Sequence, residues 1–261
     1  MTEKVVQAKV KKERPVLFSI LLGILLTFLV TIASAISEIL EFEEDGVIIA
    51  QGIAFLVMGI AMTIYMKRRA SSFAAFGFRK LNLKSQKATL FYIPLLIIAI
   101  VQPIMGGFNV ELSISKIVLL IVFSLFVGYT EEVVFRGIIR EKLISKSPLF
   151  YIVFSSILFG ILHMANAFSG TDVVEVLLQV VNAFLIGLIL ALLIETSNNI
   201  WPLIAFHFLF DALAQLTNPE IAERSLEVVS ILNIFYMAYG IFLITVLVKR
   251  RKLNNNSGVT L

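Results

Sequence analysis

Glu131-Glu132-Val133-Val134-Phe135-Arg136-Gly137 comes shortly after an apolar run from Ile117 to Val127. Two adjacent carboxylates and a guanidinium therefore sit on a helix that begins as a membrane span. Each ionised group at such depth costs roughly 2.5 kcal/mol or more, so a chain that keeps three of them has a use for them. On a helix Glu132 and Arg136 are four apart and share a face, so they can pair. Glu131 is rotated about 100° away and points elsewhere. The bland alternative is that both acids merely neutralise Arg136 or face a water-filled gap.

Composition agrees with the span. Of the 261 residues 59% are hydrophobic, against about 45–50% apolar usage in soluble domains, and the mean hydropathy is +0.95. One all-α, polytopic integral membrane domain over residues 1–261 accounts for this. Cysteine is absent, which excludes disulfides and thiolate sites. The net charge of +4 does not indicate a nucleic-acid partner, because the basic residues cluster between apolar runs, where they set topology.

In chain order, a basic flank (Lys4, Lys9, Lys11, Lys12, Arg14) precedes a first span from Pro15 to about Ser37. Ala33-Ser34-Ala35 resembles a signal-peptidase site, but the apolar stretch exceeds the usual 7–15 residues, so it reads as a retained anchor. An acidic loop, Glu38–Gly46, leads to a second span, Val47–Met66. The next loop is basic, with Lys67, Arg68, Arg69, Arg79, Lys80, Lys84 and Lys87; Phe73, Phe76 and Phe78 make it either an interfacial amphipathic piece or a solvated loop with incidental aromatics. The third span, about Ala88–Met105, carries Pro94 and Pro103, which kink or end it. The fourth starts near Ser115 and continues as helix to about Ser145. The remaining spans are Pro148–Asn166, Val173–Ile194 with Gln179 and Asn182 as interhelical glue, Trp201–Leu216 and Val228–Val248, then an Asn-rich tail read as disordered. Eight spans with both termini cytoplasmic satisfy the positive-inside rule, with only Lys116 and Arg224 on the outer side.

Topology leaves a few polar groups unexplained. Both histidines of the chain, His163 and His207, lie inside apolar runs, and among the acids only Glu131, Glu132 and Asp211 lie well within spans. His207 and Asp211 are four apart, so the carboxylate can fix the imidazole tautomer and orientation, or equally be a second acidic ligand or an oxyanion-side partner. Phe159 lies one turn from His163. At 1.5 Å per residue, Glu131, His163 and His207 all lie roughly 10–20 Å from the cytoplasmic ends of their helices, on one level.

A buried glutamate can take a proton from water, and an imidazole can orient that water or donate to an oxyanion. Alternatively Glu131, His163 and His207 hold a divalent metal such as zinc with one position left for water. Either arrangement hydrolyses a carbonyl, with peptide bonds the obvious target. His-Glu-x-x-His, Gly-x-Ser-x-Gly and Walker-type signatures are absent. Ser155 and Ser156 read as packing residues.

Glu131-Glu132-x-x-x-Arg136, Phe159-x-x-x-His163 and His207-x-x-x-Asp211, in this order and spacing, resemble the three signature motifs of the CPBP family, which contains CAAX prenyl proteases of the Rce1 type and bacterial bacteriocin-processing (Abi) proteins. Gly187 and the Thr196…Trp201-Pro202 approach to His207 resemble the family's lead-in to its last motif. The likeness covers about residues 115–215, the expected catalytic core. It implies an eight-helix intramembrane endopeptidase with a cavity open to the cytoplasm, in which Glu131 and His163 activate water while His207 and residue 211 stabilise the oxyanion. Glu132, Arg136 and Phe159 are then supports. Many members have Asn where this chain has Asp211, so Asp211 either is protonated or orients His207.

The resemblance implies a membrane-associated or lipidated peptide as substrate, a multi-pass location in the bacterial plasma membrane, and roles such as bacteriocin or pheromone maturation or self-immunity. Two other classes compete. A non-catalytic regulator or immunity protein would keep the fold without needing all the ionisable groups. A proton-coupled transporter would show inverted repeats or paired broken helices, which this sequence lacks.

Overall fold

The computed structural model describes residues 14–81, 90–169 and 172–256. The N-terminal lysines, Lys84, Lys87 and Ala88 lie outside this description. Among the described residues every element is helical, apart from one antiparallel bridge between Phe108 and Thr217.

Several helix starts coincide with a short polar cap or a first-turn proline. α1, Pro15–Ile39, begins on a proline, where the missing N–H costs nothing. α2 is Glu44–Arg69. The expected third span is broken into a 3₁₀ turn, Leu90–Tyr92, then α3, Ile93–Ala99, and α4, Val101–Gly106. Pro103 cannot donate to the Ala99 carbonyl, and the helix interrupts at Ile100. α5, Ile114–Glu132, is capped by Ser113. It passes into a π-helical segment, Val133–Ile139, and then α6, Arg140–Leu143, as one continuous rod. Ser147 caps α7, Pro148–Leu162, and Asp172 caps α8, Val173–Ser197. α9 is Trp201–Gln215 and α10 is Ser225–Asn256. Asn254–Asn256, expected in a disordered tail, continue α10.

Among the described residues six helices are long and apolar enough to cross a bilayer, so the chain is an all-α multi-pass membrane protein. The third and seventh expected spans are shorter: Leu90–Gly106 is bent, and α9 has 15 residues. α8 is the central helix, with 50% of its apolar window buried against 22–39% for the other five. It packs between α7 and α10, while α5 packs between α2 and α9. Thr130 hydroxyl donates to the Phe55 carbonyl (3.0 Å), tying α5 to α2.

The two cations on the acid-rich side are both paired. Lys116 meets Glu44 and Asp45, and Arg224 meets Glu227. The segment after α2 is neither interfacial nor solvated throughout. Phe73–Phe76 forms a 3₁₀ turn, Phe76 is fully buried, and Phe78 packs edge-on against Trp201. Its aromatics close one end of the core.

The crossing of α5 and α9 decides where the site forms. A Cβ on Gly128 would stand 2.7 Å from the Phe208 backbone nitrogen and 3.3 Å from the carbonyl carbon of His207. The two backbones touch beside the acidic pair, which is what small residues permit between membrane helices. Gly128→Ala is expected to destabilise the protein by about 1–3 kcal/mol, the usual cost of overpacking. The midpoint of unfolding in detergent micelles reads this, and an unchanged midpoint would refute so tight a crossing.

Candidate active site

Glu131 and Glu132 end α5, and the π segment carrying Arg136 is entirely buried. Such i→i+5 turns within α-helices occur often at functional sites. Glu132 and Arg136 are both fully buried and joined at 3.0 Å through Oε1 and Nη1. Arg136 Nη2 donates to the Gly187 carbonyl of α8 (3.1 Å), and its guanidinium lies 4.6 Å from the centre of the Phe159 ring. Gly187 leaves room there: a Cβ would stand 3.1 Å from the Phe159 ring and 3.4 Å from Nη2. Arg136 thereby joins α5 to both α7 and α8.

His207 approaches from α9. Its Nδ1 lies 2.8 Å from Glu132 Oε1, so Nδ1–H donates to that carboxylate. Its Nε2 faces Glu131 Oε2 and Asp211 Oδ2, each at 3.5 Å. This revises the expectation for Asp211. Glu132, from another helix, fixes the imidazole, while Asp211 shares the opposite ring nitrogen with Glu131. Glu132 is thus more than the counter-ion of Arg136: one oxygen serves the guanidinium and the imidazole together.

His163 lies at the end of α7, where the helix tightens into a 3₁₀ segment, His163–Ser169, rather than running on to Asn166 as α-helix. Its backbone N–H turns to the Gly160 and Ile161 carbonyls. The ring takes the carbonyl so released, with Nδ1–H donating to Phe159 at 2.8 Å. Nε2 is left as the lone-pair nitrogen. The Phe159 ring stands edge-on to both imidazoles, with centroids 4.9 Å from His163 and 6.2 Å from His207. It is the apolar spacer between them, with the guanidinium also against it.

Two cavities meet at these groups. One, of about 450 Å³, lies among α7, α8, α9 and α10 and is bordered by His163, His207 and Asp211. The other, of about 390 Å³, lies among α1, α2, α5 and α7 and is bordered by Glu131, His163 and Asp211. Phe159, His163 and Asp211 belong to both walls. Glu131 and His207 therefore meet at the boundary, with His163 facing either side. Among the described residues, no group of three or more His, Cys, Asp or Glu side chains is arranged to hold a metal ion. Glu131, His163 and His207 do not form such a group.

Spacing along one helix did not reveal three features. The contact between Glu132 and His207 spans 75 residues. A second ion pair joins Arg140 Nε to Glu195 Oε1 at 2.6 Å, 55 residues apart, and Glu195 lies within α8 rather than beyond it. Arg140 also donates to Asn198, whose left-handed backbone (φ 52°) ends that helix.

A multi-pass helical bundle with buried carboxylates and imidazoles at the boundary of two cavities is the class that the fold and site define. Residues 113–213 match the model of a family described as type II CAAX prenyl endopeptidase Rce1-like. That segment carries every site residue named above, and the resemblance read from the three motifs is borne out over it. The match supports a CAAX-type intramembrane protease in general. Comparisons with curated proteins and with solved structures find no match.

Proposed function

We propose that this chain is an intramembrane endopeptidase that hydrolyses a peptide bond in a membrane-associated or lipidated peptide. The observation that carries the reading is the approach of Glu131 to His207 Nε2 at 3.5 Å, where two cavities meet beside His163. Glu131, outside the ion pair with Arg136, takes a proton from a water that His163 Nε2 orients. The water oxygen adds to the scissile carbonyl carbon. The oxyanion forms toward His207, held by Glu132, and Asp211. Collapse breaks the C–N bond, and the proton on Glu131 passes to the leaving amine.

Eight spans with both termini in the cytoplasm, in a bacterial plasma membrane, complete the proposal. Bacteriocin or pheromone maturation and self-immunity are settings that suit such an activity.

Peptidomics of membranes bearing wild-type or Glu131→Gln protein tests the reading. Products present only with wild type are expected, and identical product sets would favour a non-catalytic regulator. Because no three His, Cys, Asp or Glu side chains among the described residues are arranged as ligands, product yield is expected to be unchanged by a chelator. A loss that zinc restores would instead make Glu131, His163 and His207 ligands. For Asp211, substitution by Ala is expected to lower the rate about 10²–10³-fold, as for one oxyanion donor. Asp211→Asn keeps a donor and should retain most activity; a loss as large as that of Asp211→Ala would remove the donor role.

A further inference from the structure

The two cavities border different parts of the chemistry. Glu131, the base, lines the smaller and not the larger, while His207, on the oxyanion side, lines the larger and not the smaller. A carbonyl that reaches His207 from the larger cavity leaves the smaller one to the other reactant. Hydrolysis consumes one water per bond, and the hydrocarbon core holds none to supply.

α1 gives the smaller cavity a wall suited to bring it. Thr27, Thr31 and Ser34 follow one another at intervals of four and three, so they share one face. All three line the cavity, whereas Leu25, Phe28 and Ile32 are exposed on another side, toward lipid. The row climbs about 10 Å along the helix. It ends toward the acid-rich side, where Gln51 of α2 donates to Ser34 Oγ at 2.9 Å. The facing wall on α5 is apolar, Phe123 and Val127, and leads one turn further to Glu131.

Hydroxyls in these helices follow a habit. Those of Ser19, Ser34, Ser37, Thr63, Ser124 and Ser156 each donate to the carbonyl four residues back, which satisfies them without water. Thr27 and Thr31 break it. Neither side chain has a hydrogen bond to a described residue. Both residues are half-buried, and their hydroxyl oxygens keep accessible surface. A hydroxyl donates and accepts at once, so each can take a water on one side and pass it on at the other. The cavity, of about 390 Å³, has room for several waters, each occupying about 30 Å³ in the liquid.

We propose that the smaller cavity is a water conduit running from the acid-rich side to Glu131, with the hydroxyls of Thr27 and Thr31 as its relay. Both are positioning residues: they hand water on and touch no reacting atom. The conduit rests on the peptidase reading only for the use made of the water.

The full chain has no cysteine, so single cysteines report access to water. Thr27→Cys, Thr31→Cys and the lipid-facing Phe28→Cys are treated in sealed membrane vesicles of either orientation with a charged, impermeant methanethiosulfonate. Glu43→Cys and Lys67→Cys mark the acid-rich and basic ends. The reagent attacks thiolate, which forms in water and not in lipid. Thr27→Cys and Thr31→Cys are expected to react at least about tenfold faster than Phe28→Cys, and only where Glu43→Cys also reacts. Reaction from the basic end alone, or none beyond that of Phe28→Cys, would overturn the conduit. Thr27→Val with Thr31→Val removes two partners of the water and no contact to substrate. It is expected to lower kcat about threefold to tenfold with KM nearly unchanged, and Ser at both positions should keep the wild-type rate. An unchanged kcat in the double valine variant would remove the relay. Reactive Thr31→Cys with no peptide cleaved by wild type would sink the peptidase reading and leave the conduit standing. Cleavage by wild type with Thr31→Cys unreactive would do the reverse.

Discussion

Glu131→Gln should leave the protein folded and slow peptide-bond hydrolysis by about 10²–10⁴-fold, the contribution of a positioned general base. The geometry separates this residue from the scaffold. Glu132 holds the pair with Arg136 and the contact to His207 Nδ1, and both survive the substitution. Among the described residues Glu131 has one polar approach, to His207 Nε2 at 3.5 Å, and it borders a cavity. An amide of the same shape fits there but cannot take a proton from water. Unfolding midpoints within experimental error of wild type, together with lost cleavage, are the expected pair of results. Undiminished cleavage would remove Glu131 from the mechanism.

Arg136→Met should instead cost about 3–5 kcal/mol of stability, because it strands a buried carboxylate. Arg136 and Glu132 are both fully buried. The guanidinium also satisfies the Gly187 carbonyl and lies against Phe159. The methionine keeps much of the apolar stem but none of the donors. Adding Glu132→Gln removes the stranded charge, so the double variant should recover a substantial part of the loss. Denaturant titration in mixed micelles measures both steps. Equal stability of the single and double variants would show that the charge pair is not what Arg136 supplies. Activity should not return in the double variant, since Glu132 also aligns His207.

Much of this was readable from local spacing. Caps Ser113, Ser147 and Asp172 stand where the apolar runs begin, and the helices start there. Glu132 and Arg136 pair because four residues of helix bring them onto one face, whatever the rest of the chain does. The rarity of ionisable groups inside apolar runs singled out Glu131, His163, His207 and Asp211 before any packing was known. What spacing could not supply depends on how helices cross. Asp211, four residues from His207, was the natural partner to fix the imidazole, but the α5–α9 crossing at Gly128 brings Glu132 to Nδ1 instead. The π segment and the 3₁₀ turn at His163 have no composition of their own; they follow from hydrogen bonds redirected in the folded chain. Phe76 likewise looks like a loop aromatic until the core it plugs is assembled.

The placement of Glu132 and Arg136 on one rod bears on biosynthesis. α5 and its continuation leave the ribosome before α8 and α9, which later supply the Gly187 carbonyl and His207. During that interval a lone carboxylate or guanidinium would oppose partitioning into lipid, by roughly 2.5–3.5 kcal/mol on insertion scales. Partners one turn apart need no other segment to neutralise each other. The helix therefore carries a counter-charge for Arg136 through the translocon, while Glu131 and Arg140 meet their partners only when later helices arrive.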